Sequence, residues 1–416
     1  MKRIGFSKSQ RHGRIPASTV AMAVALAGMC LLVATGCLAG DPKGADSVTL
    51  KDAFKNDFLV GAAINRAQIY EEDSNNDPII KTQFNSISPE NVLKWEAVHP
   101  EPDKFDFAAA DTYVKFGEAN HMAIIGHTLV WHSQTPAWVF EDANGKSVDR
   151  ETLLNRMSNH IFTVMGRYKG RLKGWDVVNE AVADDGTLRK SRWMRIIGED
   201  FLVKAYEFAH AADPGAELYY NDFGLENPEK RAGALALIKN LQSHGVKISG
   251  VGLQGHYGLE EPDLKQVDET ISAFAALGVK VAITELDINV LPSPMRSLSA
   301  DVAQRFAARA ALNPYTNGLP DSVQRELADR YAGLFSVFLK HHGEISRVTF
   351  WGVSDGDSWL NDWPIRGRTS YPLLFDRKHE PKPAFRAVIE SATQSRSAAA
   401  SAENKEFVEK SAAPKN

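Results

Sequence analysis

Trp175-Asp176-Val177-Val178-Asn179-Glu180 is an apolar run that stops on an amide beside a carboxyl. Apolar character over so short a stretch fits a strand buried on both faces, as in a parallel sheet. Such a strand delivers Asn179 and Glu180 at its C-terminal end. Val281-Ala282-Ile283-Thr284-Glu285 repeats the pattern and ends on a second glutamate. A single glutamate after a strand is most often a solvated loop charge. Two of them, each closing a buried strand, raise the question of paired acid/base and nucleophile chemistry.

Outward from these two stretches, eight short apolar runs can be counted, near residues 58–64, 86–89, 123–127, 174–179, 217–221, 250–254, 279–285 and 347–352. Helix-period segments fill most gaps, at 107–119, 150–168, 193–212, 228–244, 264–277 and 321–341. Strands alternating with helices predict a parallel sheet. Eight such units predict one α/β domain over 49–390, a single (β/α)8 barrel (TIM barrel) with its chemistry at the C-terminal strand ends. The connection 292–317 is long for its place and is expected to shape a binding site, with a helix of its own over 303–312. Residues 67–77 read as an acidic, Asn-rich loop.

The ends of the 416-residue chain look unlike the middle. Lys2, Arg3, Lys8, Arg11 and Arg14 precede an apolar run over 19–33, the pattern of an export signal over 1–36. That run closes on Val33-Ala34-Thr35-Gly36-Cys37, which resembles a bacterial lipobox, although Ala34 stands where leucine is usual. Cys37 is therefore a candidate for lipidation, followed by a tether over 37–48; processing elsewhere would give a soluble exported protein. The only other cysteine is Cys30, so no disulfide is expected in the processed chain. Residues 391–416, rich in Ala, Ser, Lys and Glu, are expected to be a disordered tail, with a short helix over 403–410 as the alternative. The net charge of −4 gives no general attraction to nucleic acid, and a lipid anchor would be the only membrane contact. A monomer is expected.

The residues after the predicted strands suit a sugar. Amides and carboxyls can address hydroxyl pairs, and aromatic rings can cover C–H faces. Ser88-Pro89-Glu90-Asn91-Val92-Leu93-Lys94-Trp95, the stretch 126–138 with His127, Trp131 and Gln134, Tyr220-Asn221-Asp222, Gln254-Gly255-His256-Tyr257, Thr284-Glu285-Leu286-Asp287 and the stretch 350–360 with Trp351 and Trp359 stand in this order. In order and spacing they closely resemble the family 10 glycoside hydrolases, retaining endo-β-1,4-xylanases on a (β/α)8 barrel, across all but the signal region and tail.

The resemblance implies roles. Glu180 would be the general acid/base and Glu285 the nucleophile. Asn179 and His127 would contact the sugar at the cleavage point. His256 and Asp287 would orient the nucleophile and keep it ionised. Glu90, Asn91 and Lys94 would hold the next sugar, with Trp351 and Trp359 closing over both. Trp131, Gln134, Tyr220 and Gln254 complete the expected substrate contacts. Glu180 must hold a proton when the glycosidic bond breaks and release it once Glu285 is esterified. Retaining enzymes of this kind hold their carboxyls about 5–5.5 Å apart. Xylan or xylo-oligosaccharides are the expected substrate, with no cofactor and no metal. Cellulase or exo-xylosidase specificity on the same carboxyl pair, and a surface glycan-binding lipoprotein without catalysis, are the alternatives.

Three other patterns are set aside. Gly250-Val251-Gly252-Leu253-Gln254-Gly255 has dinucleotide-binding spacing but lies within a strand. Gly352-Val353-Ser354-Asp355-Gly356 has the spacing of a nucleophile elbow, yet no helix follows. His127 and His132, five apart in an extended stretch without thiolates, do not read as a metal pair.

Overall fold

The computed structural model describes residues 48–295 and 300–412. The signal region, Cys37 and the tether as far as residue 47 lie outside the described residues. The strands are β1 (Leu59–Ile64), β2 (Ser86–Pro89), β3 (Ala123–Trp131), β4 (Gly174–Asn179), β5 (Glu217–Asp222), β6 (Gly250–Leu253), β7 (His256–Gly258), β8 (Lys280–Asn289) and β9 (Ile345–Phe350). All pairings among them are parallel, neighbours follow chain order, and β6 pairs with β8 while β1 pairs with β9, so the sheet closes. The closed barrel has eight strands; β7 resumes the line of β6 after Gly255 and pairs only with β8. Its strand ends therefore all open on one face.

Helices over Ala108–Ala119, Arg150–Arg167, Pro228–Ser243, Leu264–Ala275 and Asp321–Lys340 wrap the outside close to their predicted bounds. They start where side chains satisfy orphan N–H groups: Asp149 caps the second, Asn227 the third with Pro228 following, and Asp263 and Gln266 form a capping box on the fourth. Close packing inside the barrel requires glycine at Gly126, where a Cβ would lie 2.1 Å from the Trp175 ring.

Four expectations are corrected. The helix over 193–212 is two, Arg192–Ile197 and Phe201–Ala212, because Gly198 takes a φ of 96°. Within 67–77, Asn65 and Gln68 form a capping box on a helical turn over Arg66–Ile69, and a further helix starts at Asn76. The helix over 303–312 is only a 3-10 turn, Ala310–Leu312; the preceding backbone is drawn into bonds with other loops. The tail is not disordered as far as Ala412, since one helix runs over Pro383–Ala412. Its first turns are nucleated by burial of Phe385, Val388, Ile389 and Ala392. Good helix formers such as Ala, Glu and Lys then extend it at little further cost.

Candidate active site

Glu180 follows β4 directly and has a φ of 58°, a left-handed conformation that a side chain with a Cβ adopts only when its surroundings enforce it. The enforcement is visible. Arg189 donates from Nε to the Glu180 carbonyl at 2.8 Å and from Nη2 to the Val182 carbonyl at 3.1 Å. The N–H groups of Ala181 and Val182 both donate to the Tyr220 hydroxyl, each at 3.1 Å. Tyr220 in turn donates to Asp222, whose other oxygen pairs with buried Lys230 at 3.0 Å. The Glu180 carboxyl accepts from Trp131 Nε1 at 2.9 Å on one oxygen, and from Gln254 Nε2 at 3.0 Å and Asn179 Nδ2 at 3.3 Å on the other.

Glu285 lies in β8 and is equally buried. It accepts from Asn221 Nδ2 at 2.8 Å and faces His256 Nε2 at 3.1 Å. The same Asn221 nitrogen donates to Asn179 at 2.9 Å, while its oxygen accepts from Thr284 at 2.6 Å. Asn221 thus ties the two glutamate-bearing strands together. It can do so because residue 252 is glycine: a Cβ there would lie 2.2 Å from the Asn221 oxygen.

On the far side of His256, Nδ1 lies 3.0 Å from Asp287, and Asp287 accepts from Trp359 Nε1 at 2.7 Å. Burial alone would strip the proton from His256; the charge and hydrogen bond of Asp287, then those of Glu285, outweigh it and push the imidazole up to about 10. It is an imidazolium at neutral pH. Burial would likewise raise Glu285, but the His256 hydrogen bond, the fields of His127 and His256 and the Asn221 hydrogen bond hold it below the ordinary carboxylate range. Glu285 is therefore ionised. His132 is the opposite case: burial, with the charge of Arg189, lowers it to about 4. Its Nε2 hydrogen goes to the Ala300 carbonyl at 3.1 Å, so Nδ1 presents a lone pair 3.9 Å from Glu180 Oε2.

Beside the glutamates, Lys94 donates to Asn91 at 2.9 Å and Gln134 at 2.7 Å, with its ammonium 5.1 Å from the Trp131 ring centre. Burial lowers Lys94 against the pull of Glu285 and Glu90, and burial raises Glu90 against the pull of Lys94. His127 bonds Asp176 at 3.0 Å, and Asp176 meets Arg347 inside the barrel at 3.4 Å. A cavity of about 510 Å³ opens between these groups.

The sequence pattern of "Glycosyl hydrolase family 10" matches residues 49–391. The chain belongs to that family. It is 47% identical over 341 residues to "Endo-1,4-beta-xylanase A" of Xylanibacter ruminicola, covering 82% of this chain and 92% of that one. It is 42% identical to "Endo-1,4-beta-xylanase" of Geobacillus stearothermophilus, covering 82% and 98%. Among solved structures, a GH10 endoxylanase retrieved from sugarcane soil metagenome superposes with a TM-score of 0.80 at 46% identity, covering 82% of this chain and 99% of that one.

In this family 10 barrel, Glu90, Asn91, Lys94, His127, Trp131, Gln134, Asn179, Glu180, Gln254, His256, Glu285, Trp351 and Trp359 all line the one cavity. Asp287 stands behind His256. Tyr220 is not brought to the cavity: it is fully buried beneath the turn that carries Glu180. Val302, Ala303 and Arg305, within the connection 292–317 that was expected to shape a binding site, also line it, as do Phe223 and Trp363, which sequence reasoning had not singled out. Phe223 could have been found as the first residue past β5. Trp363, stacked on Trp359 with ring centres 4.7 Å apart, lies in a loop with no periodic signal.

Proposed function

We propose that this protein is a retaining endo-β-1,4-xylanase in which Glu285 is the nucleophile and Glu180 the acid/base. The observation that carries the reading is the pairing of two buried carboxyls on one cavity, one of them kept ionised by a charged imidazolium and an amide. Glu285 attacks the anomeric carbon, the glycosidic C–O bond breaks, and the proton of Glu180 goes to the departing oxygen. A glycosyl ester on Glu285 remains. Water then attacks the same carbon, Glu180 takes its proton, and Glu285 leaves as a carboxylate, so two inversions give net retention. Asn179 meets the 2-hydroxyl, while Glu90, Asn91 and Lys94 hold the next sugar. His256 and Asp287 act through Glu285.

Xylose and glucose units differ by a hydroxymethyl group at C5, so discrimination must exclude bulk. Trp359 and Gln134 supply the crowding. The test is reducing-sugar release from xylan, cellulose and mannan, with the product anomer followed by NMR; a first-formed α-anomer, or equal rates on all three, defeats the reading.

Cys37 carries an acyl anchor that places the enzyme in the cell envelope, a reading motivated by Gly36-Cys37 at the end of an apolar run. Among the described residues no helix is long and apolar enough to cross a membrane. Mass spectrometry of the processed N-terminus decides: an unmodified terminus at any other residue removes the anchor.

A further inference from the structure

The single helical turn Trp95–Val98 sets two charges around one amide. Trp95 is buried and lies flat on the His160 ring, with ring centres 3.7 Å apart, so the turn has a fixed base. Lys94 stands just before Trp95 and Glu96 just after it, and both reach Gln134, in the loop that follows β3. Lys94 Nζ donates to Gln134 Oε1 at 2.7 Å. Gln134 Nε2 donates to Glu96 Oε1 at 2.9 Å and makes a longer contact with Asn91 Oδ1 at 3.4 Å. The Glu96 N–H donates in turn to the Gln134 carbonyl at 3.1 Å. Gln134 has a φ of 43°, a left-handed backbone that a residue with a Cβ keeps only when its partners hold it there.

These contacts decide what Gln134 can do in the cavity. A carboxamide offers one acceptor oxygen and one nitrogen that donates. Here an ammonium takes the oxygen and a carboxylate takes the nitrogen, so neither end can turn to a sugar hydroxyl without giving up a charge-assisted bond. A loose amide would swing away from a hydroxymethyl group and then bond its hydroxyl. A clamped one stands as a wall. Because Gln134 is held by Asn91 and Lys94, the wall stands at the sugar next to the cleavage point. Lys94 has a second task there, in holding that sugar. Glu96 has none in the reading above, although it lines the same cavity.

We propose that Glu96 is a specificity-determining positioning residue, whose carboxylate closes a clamp with Lys94 on the Gln134 amide and so excludes a glucose unit from the site next to the cleavage point. The inference rests on the reading above of Gln134 as a crowding group. Glu96 acts through Gln134 and not on the sugar. Rejection of the wrong unit comes from rigidity: the hydroxymethyl group must either break the clamp or stay out. Arrival of a sugar also removes water from the Gln134 amide, which strengthens the bond to Glu96 at the moment it is needed.

Aryl disaccharides with one common leaving group separate the positions: a xylobioside, a glucosyl-β-1,4-xyloside with the hydroxymethyl group on the distal unit, and a xylosyl-β-1,4-glucoside with it on the proximal unit. kcat/KM is measured on each for the unaltered full-length enzyme, Glu96→Ala, Glu96→Gln and Gln134→Ala. Glu96 is exposed and alanine suits a helix, so the fold is kept. Glu96→Ala should raise the glucosyl-xyloside relative to the xylobioside by about 3–10-fold, the size of one net hydrogen bond, and leave the relative rate of the xylosyl-glucoside unmoved. Glu96→Gln, whose amide oxygen still accepts from Gln134 Nε2, should restore most of the discrimination. An equal fall on all the substrates with Glu96→Ala would make Glu96 a plain support of the loop and overturn the proposal. So would a gain on the glucosyl-xyloside with Gln134→Ala that Glu96→Ala does not share. If Gln134→Ala itself leaves that ratio fixed, Gln134 is no wall, and the crowding account of xylose preference fails with the clamp.

Discussion

Tyr220→Phe is expected to damage proton donation while leaving the rest of the site in place. The hydroxyl accepts both N–H groups that follow Glu180 and donates to Asp222. Without it, the Val182 N–H keeps a long contact to Asp222 at 3.4 Å, but the Ala181 N–H is left with no acceptor. One buried donor without a partner costs about 1–3 kcal/mol. Glu180 holds a left-handed φ of 58° that is itself uphill, by roughly 1–3 kcal/mol for such a residue. Loss of the brace therefore releases the turn at its most strained point, and the carboxyl moves off the line to the glycosidic oxygen. A displacement near 1 Å costs roughly 10²-fold in rate. The assay is kcat/KM over aryl β-xylobiosides graded by leaving-group acidity, with active sites titrated. Poor leaving groups, which need the proton, should slow by about 10–100-fold, and the most activated should stay near the unaltered enzyme. An equal fall across the series would mean that Tyr220 only supports folding, and the reasoning would be refuted.

Other outcomes follow from the same contacts. Glu285→Ala should abolish turnover, whereas Glu180→Ala should keep the first step on activated aryl xylobiosides and, with azide, return a β-glycosyl azide; an α-azide would reverse the assignment. Trp359→Ala removes a cavity wall and the Nε1 bond to Asp287, so xylan activity should drop and the ratio of xylo- to gluco-substrate kcat/KM should narrow; a methylene-scale misfit is worth only about 1–3 kcal/mol. A fixed ratio would make Trp359 uniform binding surface. His256 titrates at about 10 in the folded protein, above its ordinary value, so its charged form stabilises the fold below the unfolded value near pH 6.5, and that contribution is lost as pH rises through about 10. The Tm gap between the unaltered protein and His256→Asn should be widest near pH 6 and shrink steadily as pH rises towards about 10; a constant gap would show that His256 is held neutral.

Strand positions were legible because burial on both faces leaves short apolar runs, and their length and alternation with helix-period segments set them apart from buried helix. The runs at 174–179, 250–254 and 279–285 coincide with β4, β6 and the start of β8 almost to the residue. Residues 303–312 misled because an Ala-rich stretch reads as helix on propensity alone. Ala300 just before them and Phe306 within them are tied instead to His132 and Pro364, partners that lie 168 and 58 positions away in the chain and leave no local trace. Trp363 was silent for a different reason: it stacks on Trp359 four positions earlier in the same loop, after a 3-10 turn over Trp359–Asn361 too short to leave a periodic signal.

Tyr220 is the instructive case, because the information was present in the alternation of β5. Side chains along a strand point to opposite faces in turn. Tyr219 and Asn221 share one face: Tyr219 lies under Arg347 within the barrel, and Asn221 reaches Asn179 and Glu285. Tyr220 and Asp222 must share the other, and they do, bonded to each other and away from the cavity. A residue next to Asn221 in sequence is thus the one least able to join it at the substrate. Glu180 escapes the rule only because it stands one position past β4 with its backbone turned left-handed, so that it can face the cavity beside Asn179 instead of opposite it. That departure from alternation has to be held by something on the outer face, at the height of the turn, with an acceptor for two N–H groups. The outward-pointing hydroxyl of the neighbouring strand meets those requirements, which is why Tyr220 belongs behind Glu180 and not at the cavity.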